Sequence, residues 1–308
     1  MTSQLAPHPA TRNRVKALIG TSAALVTPFE AGGAVDWHRF AGHAKHLLDQ
    51  GPQGGGMTVV TAFGTTGEGV SIPREARADL YERMEEHGVA AGQLVEGVYG
   101  PVSAEAGRHL GRSLAAGAAA ILLAPPFYFK GVPDEGLYRW FAEAFEAAGG
   151  AARDVILYNI PQLTGVPLGP ALVGRLRDAF PEVVAGVKDS AGDWPATQAL
   201  LAEHRDLAIL VGHEGHLAQA VRAGASGAIS GLANVAPGLV AKLVSGEEDP
   251  RTEKLLARIL ALAVVPAVKA LTAGQTGDHG WLAVRAPLVA MDAGDAEGLW
   301  RELGEMLQ

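Results

Sequence analysis

VVAGVKDSAGD, residues 183–193, is a short apolar run that ends in a lysine, an aspartate and then small residues. Such a run is typical of a buried strand that meets a loop at its carboxyl end. Lys188 is therefore predicted to lie at a strand end, partly shielded from water. Shielding disfavours the ammonium form of an amine, and a neutral amine attacks carbonyl carbons to form Schiff bases. The alternative for Lys188 is a solvated surface charge or an ion pair with Asp189.

Seven further apolar runs, each followed by an amphipathic segment, flank this stretch. They are LIGTSAALVTPF, MTVVTAF, LVEGVYG, AAILLAPPFYF, DVILYNIP, LAILVGH and ASGAISG. Eight strand–helix units predict an α/β fold, a TIM (β/α)8 barrel with additional C-terminal helices. An open doubly wound sheet is the alternative, but no G-x-G-x-x-G motif follows the first strand. We expect a flexible N-terminal tail over residues 1–16, the barrel over 17–236, and helices packed on it over 237–308, including WLAVRAPLVAM, in one domain.

Composition limits the class of protein. The 308-residue chain is 48% hydrophobic and 19% charged, which fits a globular enzyme and argues against disorder. A formal net charge of −8 gives no reason to expect a nucleic-acid partner, because such partners require a basic patch. The absence of cysteine excludes disulfides and thiol nucleophiles and is compatible with a cytoplasmic location. Residues 255–271 are apolar but interrupted by Arg258, Pro266 and Lys269, which predicts a core helix that is kinked or restarted near the proline, with no membrane span.

The residues that follow the strands form the candidate site, because active sites of this fold lie at the carboxyl ends of the strands. Gly64, Thr65 and Thr66 follow the second strand in a glycine-rich turn, whose N–H groups and hydroxyls suit a small carboxylate. Tyr158 ends the fifth strand and is suited to move protons next to Lys188. The structural alternatives are a simple tight turn for GTTGEG and a half-buried aromatic for Tyr158.

Taken together, the motifs GTTGE, YNIP, GVKDS and GAISGLAN resemble the dihydrodipicolinate synthase and N-acetylneuraminate lyase family of class I aldolases. The resemblance runs from about Leu18 to the C-terminus. It implies a lyase that handles pyruvate, or another 2-oxo acid, together with an aldehyde. It also implies that the only prosthetic chemistry is a covalent lysine imine with the substrate, without cofactor or metal, and that the protein is a homo-oligomer, either a tetramer or a dimer.

The resemblance further implies roles for individual residues. Lys188 is expected to form the Schiff base and Tyr158 to relay protons. Thr65 is expected to link Tyr158 to Tyr128, a tyrosine that many members supply across a subunit interface. The residues expected to contact the pyruvate carboxylate or the imine are Gly64, Thr65, Thr66 and the main-chain carbonyl of Ile229.

One position departs from the family pattern. The fifth residue after the YNIP tyrosine is an arginine in synthase members, where it holds the carboxylate of the second substrate, and here it is Leu163. Because leucine cannot make this contact, we expect a hydroxylated aldehyde or a 2-keto-3-deoxy sugar acid at this site. His213 and Glu214 fall where sugar-acid lyases hold substrate hydroxyls. The alternatives are 4-hydroxy-tetrahydrodipicolinate synthase proper and a sugar-acid dehydratase that acts through the same imine.

Three other classes of function have weaker support. A metal-dependent aldolase would take ligands from HEGH, residues 213–216, or from His38, His43 and His46, but neither spacing is that of a metal motif. Phosphosugar chemistry would use the loop GLANVAP after the eighth strand, which lacks lysine and arginine. A non-catalytic 2-oxo acid sensor is expected to lose Lys188 or Tyr158, and both are present.

Overall fold

The structure is a computed structural model that describes residues 10–50 and 57–307. Short strands alternate with helices along the chain. The strands are β1 Thr21–Ala23, β2 Val60–Ala62, β3 Leu94–Val98, β4 Ala120–Leu123, β5 Val155–Asn159, β6 Val184–Asp189, β7 Ala208–Val211 and β8 Gly227–Ser230. The helices are α1 Ala10–Leu18, α2 Trp37–Asp49, α3 Arg74–Glu86, α4 Ser103–Ala115, α5 Asp134–Ala147, α6 Pro161–Thr164, α7 Pro170–Ala179, α8 Trp194–Glu203, α9 Glu214–Arg222, α10 Pro237–Val244, α11 Arg251–Leu260, α12 Val264–Thr276 and α13 Ala293–Leu307.

The eight strands form one parallel sheet in the order β1-β8-β7-β6-β5-β4-β3-β2. The two ends of this order meet, because Ala24 forms a parallel bridge with Thr61 and the Leu25 N–H donates to the Thr61 carbonyl at 2.9 Å. The sheet is thus closed into a barrel. The predicted (β/α)8 barrel with C-terminal helices is confirmed. Each observed strand lies within one of the eight apolar runs from which a strand was predicted.

The strands are buried on both faces, which explains why they read as continuous apolar runs. Side chains that point inward, such as Ile156, Leu210 and Ile229, fill the barrel interior. Side chains that point outward, such as Leu157 and Val187, pack under the surrounding helices in a larger cluster. Residues that alternate along one strand therefore belong to two separate cores, and only the inward set reaches the mouth of the barrel.

Helix α1 lies across the amino-terminal end of the barrel. Val15 and Ile19 are fully buried and pack with the inward-facing residues of the strands. The Lys16 ammonium donates to the carbonyl of Arg205, just before β7, at 2.9 Å. Residues 10–16, which the sequence analysis placed in a tail, are thus helical, and Val15 of this segment helps to close the barrel. Residues 1–9 of that predicted tail lie outside the described residues.

The C-terminal region packs on the outside of the barrel. Helix α11 ends at residue 260 and α12 begins at residue 264, so Pro266 lies in the first turn of a new helix, where its missing N–H costs no hydrogen bond. The predicted helix over WLAVRAPLVAM is wrong beyond residue 282. The main-chain N–H of Arg285 donates to Glu68 at 2.7 Å and the Ala283 carbonyl accepts from Lys269, which hold this segment against the barrel.

None of the helices in the part of the chain that the structure describes is long and apolar enough to cross a membrane.

Candidate active site

Lys188 and Tyr158 meet at the carboxyl ends of two neighbouring strands. They are register partners in the parallel pairing of β5 and β6, so their side chains project into the same side of the barrel. The Lys188 ammonium donates to the Tyr158 hydroxyl at 3.3 Å and lies 4.4 Å from the centre of its ring. Lys188 is 4% exposed and Tyr158 is 1% exposed. A buried amine and a phenol are thus in direct contact at the mouth of the barrel.

Thr65 joins this pair from the opposite wall of the barrel. Its hydroxyl lies 3.0 Å from the Tyr158 hydroxyl, and either oxygen is able to donate. Thr65 belongs to the turn after β2, in which the Glu68 N–H donates to the Thr65 carbonyl at 3.0 Å. Glu68 has a φ of 54°, a left-handed conformation that is uncommon outside glycine. GTTGE is therefore a tight turn, and the turn places a hydroxyl on Tyr158.

A buried ion pair anchors this turn. The Glu68 carboxylate contacts the Lys269 ammonium on α12, and both side chains are at most 1% exposed. Burial lowers the pKa of Lys269, whereas the charge of Glu68 raises it. The other carboxylate oxygen accepts from the Arg285 N–H at 2.7 Å. Because the pair reaches from the C-terminal helices to the mouth, those helices help to set the position of Thr65.

Asp189 does not pair with Lys188. Its carboxylate accepts from the Asn159 side chain at 2.9 Å and from the Thr197 hydroxyl at 2.6 Å. Adjacent residues in a strand point to opposite faces, so Asp189 lies outside the barrel when Lys188 lies inside. Among the described residues no salt bridge joins the two. The amine is thus left facing Tyr158 and the mouth.

Glycines at the ends of β7 and β8 leave space beside the amine. A Cβ atom at residue 212 would lie 3.2 Å from Cε of Lys188, and one at residue 231 would lie 3.1 Å from the Thr66 hydroxyl. Both distances are tighter than ordinary contacts, so side chains at these positions would crowd the mouth. Ile229 is buried on β8, two residues before Gly231. Gly64, Thr66 and Ile229 thus border the same mouth as Lys188.

The remaining predicted residues lie farther from Lys188. Tyr128 is 75% exposed and stands edge-on to the neighbouring Phe129 ring, so a single chain does not bring it onto Thr65. Leu163 is exposed on α6. Glu214 is buried and accepts from the Ser230 hydroxyl at 2.5 Å, which ties it to the end of β8.

His213 precedes α9, and its ring lies near Gly192 of the loop after β6. Its Nδ1 atom is buried and has no hydrogen-bond partner in the described part of the chain. The ring of His216 is 4.6 Å away, and burial followed by the charge of His213 lowers the pKa of His216. The described residues contain no group of three or more histidines and carboxylates placed to hold a metal ion.

Sequence reasoning missed Tyr99. It follows β3 directly, and its hydroxyl is buried near Thr65 and Tyr158. A sequence signal was present, since a tyrosine and a glycine, Tyr99 and Gly100, end the third predicted strand. The predicted site draws on the ends of the second and the fourth to eighth strands, and not on those of the first and third.

Residues 17–272 match the model of the dihydrodipicolinate synthetase family. The chain belongs to this family. It is 35% identical to an uncharacterised DapA-like lyase of Chloroflexus aurantiacus over 71% of the chain and 72% of that protein. It is 33% identical to 4-hydroxy-tetrahydrodipicolinate synthase of Synechococcus sp. over 81% of the chain and 79% of that protein. The crystal structure of dihydrodipicolinate synthase from Agrobacterium tumefaciens is 44% identical, with a TM-score of 0.89 over 94% of this chain and 99% of that one.

Members of the dihydrodipicolinate synthetase family are lyases, namely class I aldolases that form a Schiff base between a lysine and pyruvate and use no external cofactor. The chain is therefore an enzyme of this class.

Proposed function

We propose that the protein catalyses the reversible aldol cleavage or condensation of pyruvate with a hydroxylated aldehyde, so that a 2-keto-3-deoxy sugar acid is its substrate or product. Lys188 is the Schiff-base residue and Tyr158 is its proton relay. The observation that carries the proposal is the buried contact of the Lys188 amine, the Tyr158 hydroxyl and the Thr65 hydroxyl. Amine and acid–base group must lie within hydrogen-bond reach for imine chemistry, and here they do.

The steps follow from this geometry. The neutral Lys188 amine adds to the C2 carbonyl of pyruvate, and the carbonyl oxygen leaves as water with one proton from the amine and one from Tyr158. The resulting protonated imine withdraws electrons from C3, so a C3 proton passes to the Tyr158 phenolate and an enamine forms. C3 then attacks the aldehyde carbon, whose oxygen takes that proton back from Tyr158, and water hydrolyses the imine to release the product and the Lys188 amine. Cleavage is the same sequence in reverse.

The carboxylate of pyruvate is assigned to the turn after β2. Thr65 and Thr66 offer hydroxyls there, next to Gly64, and the glycine at residue 231 leaves room beside the Thr66 hydroxyl. A small anion suits hydroxyls and N–H groups that line a tight turn. Ile229 offers its main-chain carbonyl at the end of the neighbouring strand β8.

Leu163 supports a hydroxylated aldehyde over one that carries a carboxylate. It is 62% exposed and offers no charge to a second carboxylate. The buried Nδ1 atom of His213 has no partner among the residues that the structure describes, and so His213 keeps hydrogen-bonding capacity for a substrate hydroxyl. Glu214 is already bonded to Ser230, which makes it a support for the end of β8 more than a direct ligand.

A second candidate is 4-hydroxy-tetrahydrodipicolinate synthase activity with aspartate semialdehyde. It is favoured by the names of similar proteins, one of them 33% identical over most of both chains. The two candidates share the imine with pyruvate and differ in the aldehyde.

We also propose a homo-oligomer, a tetramer or a dimer, in which the mouths of two chains face each other. Tyr128 and Phe129 form an exposed aromatic pair after β4, 75% and 73% exposed. An apolar surface of this kind is typical of a protein interface. A second copy would bury the pair and bring Tyr128 towards Thr65 of its neighbour.

The deciding experiment traps the imine. The protein is incubated with pyruvate and borohydride, digested, and mapped by mass spectrometry. We expect a reduced pyruvyl adduct on Lys188, no adduct in Lys188→Ala, and an unchanged adduct in Lys254→Ala, a control at an exposed lysine of α11. A folded wild-type protein without an adduct would contradict the proposal. A screen of sugar-derived aldehydes and aspartate semialdehyde, with pyruvate release measured in the reverse direction, then separates the two candidates.

A further inference from the structure

Tyr99 occupies a slot that two glycines leave open at the end of β3. Its ring packs against the inward-facing residues of the barrel, among which is Tyr158. A Cβ atom at residue 69 would lie 2.8 Å from Cε2 of Tyr99, and one at residue 97 would lie 3.0 Å from the same atom. Side chains at either position would collide first with the main-chain carbonyl oxygen of Phe63, at 1.9 and 2.2 Å, and then with the Tyr99 ring. The two glycines thus let the Phe63 main chain and the Tyr99 ring pack together at this point.

The hydroxyl of Tyr99 is buried and has no hydrogen-bond partner among residues 10–50 and 57–307. A buried hydroxyl without a partner costs free energy, so its presence calls for a reason beyond packing. Burial, followed by the neighbouring Tyr158 phenol, raises the pKa of Tyr99, whereas the Thr65 hydroxyl and the charge of Arg77 lower it. Tyr99 follows β3, Thr65 follows the paired strand β2, and the Tyr99 ring packs with the cluster that contains Tyr158, so the unpaired hydroxyl lies on the Thr65 side of the mouth.

We propose that Tyr99 is a positioning residue that acts on Tyr158 through Thr65, an inference that rests on the function proposed above. The Thr65 hydroxyl has one proton and two lone pairs. When Tyr99 donates to the Thr65 oxygen, the Thr65 proton is directed to the Tyr158 oxygen 3.0 Å away. Tyr158 then accepts from Thr65 and from Lys188, and its own proton is free for the substrate oxygen.

This arrangement favours the step in which Tyr158 gives up its proton. The phenolate that remains has two donors already in place, one from Thr65 and one from Lys188, and donors fixed in advance stabilise developing negative charge. Without Tyr99, the Thr65 proton has no preferred direction and part of the molecules hold Thr65 turned away from Tyr158. Tyr99 belongs to the same chain as Lys188, so its action on Thr65 requires no residue of a second subunit.

The test is Tyr99→Phe, which removes the hydroxyl and keeps the ring. The assay is exchange of the pyruvate methyl protons with deuterated water, followed by NMR, because this exchange needs the imine and the relay but no aldehyde. We expect the maximal exchange rate to fall about tenfold, the effect of one hydrogen bond of average strength. The half-saturating pyruvate concentration stays within about twofold, because Tyr99 does not contact pyruvate. The melting temperature stays unchanged or rises, because an unpaired buried hydroxyl is removed.

Two comparisons make the result specific. Tyr138→Phe, a phenol removed from α5 outside the barrel, leaves the exchange rate unchanged. In a Thr65→Val background, Tyr99→Phe causes no additional loss, because its path to Tyr158 is already cut.

Several outcomes would overturn the inference. The first is a wild-type exchange rate in Tyr99→Phe. The second is a lower melting temperature in Tyr99→Phe, which would mean that the hydroxyl stabilises the fold. The third is an equal loss of exchange rate from Tyr99→Phe in the wild-type and Thr65→Val backgrounds. A silent Tyr99→Phe alongside a tenfold loss in Tyr128→Phe would assign the role to the neighbouring subunit. Borohydride trapping of the wild-type protein distinguishes failure of this inference from failure of the proposed function. An adduct on Lys188, together with a wild-type exchange rate in Tyr99→Phe, would contradict the inference alone. The absence of an adduct would contradict both.

Discussion

The buried ion pair of Glu68 and Lys269 gives the sharpest test of how the fold supports the site. The two residues are 201 positions apart, both side chains are at most 1% exposed, and Glu68 closes the turn that carries Thr65. The change Lys269→Met keeps most of the length of the side chain and removes its charge. The Glu68 carboxylate is then buried with the Arg285 N–H as its remaining described donor.

The expected loss follows from that uncompensated charge. Removing one partner of a buried ion pair costs about 3–5 kcal/mol of unfolding free energy. An unfolding entropy of about 2.1 cal/mol/K per residue amounts to roughly 0.65 kcal/mol/K for this 308-residue chain, so each kcal/mol lowers the melting temperature by about 1.5 °C and the fall should be about 5–8 °C. Because Glu68 also holds the turn, we expect slower pyruvate proton exchange even well below the melting temperature.

Calorimetry and urea unfolding of four proteins measure the effect: wild type, Lys269→Met, Glu68→Gln and the double variant. Removing the second charge should restore at least half of the loss, since a neutral pair leaves no buried charge unpaired. Lys254→Met, an exposed lysine on α11, is the matched control and should stay within about 0.5 kcal/mol of wild type. Single-variant losses below about 1 kcal/mol, or losses that simply add in the double variant, would refute the reasoning.

Three further predictions address the chemistry, the specificity and the pH response. Tyr158→Phe should lower the rate of pyruvate proton exchange by about 10²–10⁴-fold without loss of folding, and an unchanged rate would exclude it as the relay. Leu163→Arg should raise kcat/KM for aspartate semialdehyde by about 10–100-fold, because a charged donor then faces its carboxylate; equal kinetics with both aldehyde classes would count against this. Burial lowers the pKa of His43 to about 4, while its hydrogen bond to Asn234 raises it. Between pH 6.5 and 4 the unfolded chain therefore binds a proton at His43 that the folded protein does not. As the pH is lowered from 6.5 to 4, the unfolding free energy of the wild type should fall by about 3 kcal/mol, and that of His43→Gln by less. Urea titrations at each pH measure both.

The sequence by itself determined the repeating architecture and the central lysine. Strands that are buried on both faces appear as apolar runs, and the helices between them appear as amphipathic segments, so eight units were readable without coordinates. Lys188 and Tyr158 were identifiable for the same reason, since each lies within a few residues of the end of an apolar run. Local patterns of this kind carry their information in adjacent residues.

Only the tertiary structure decided which distant residues meet. The Tyr99 ring lies next to Gly69 and Gly97, two residues from separate segments, and this backbone packing is encoded by no local pattern. In the sequence Lys269 is one of the charged residues that interrupt an apolar helix, and the folded structure buries it against Glu68.

Helix α1 and the segment after residue 282 show the same limit. The first is helical because it closes the barrel, and the second is not helical because hydrogen bonds to Glu68 and Lys269 hold it in place. In each case the deciding energy comes from contacts between residues far apart in the chain, and tertiary contacts override local propensity where the two compete.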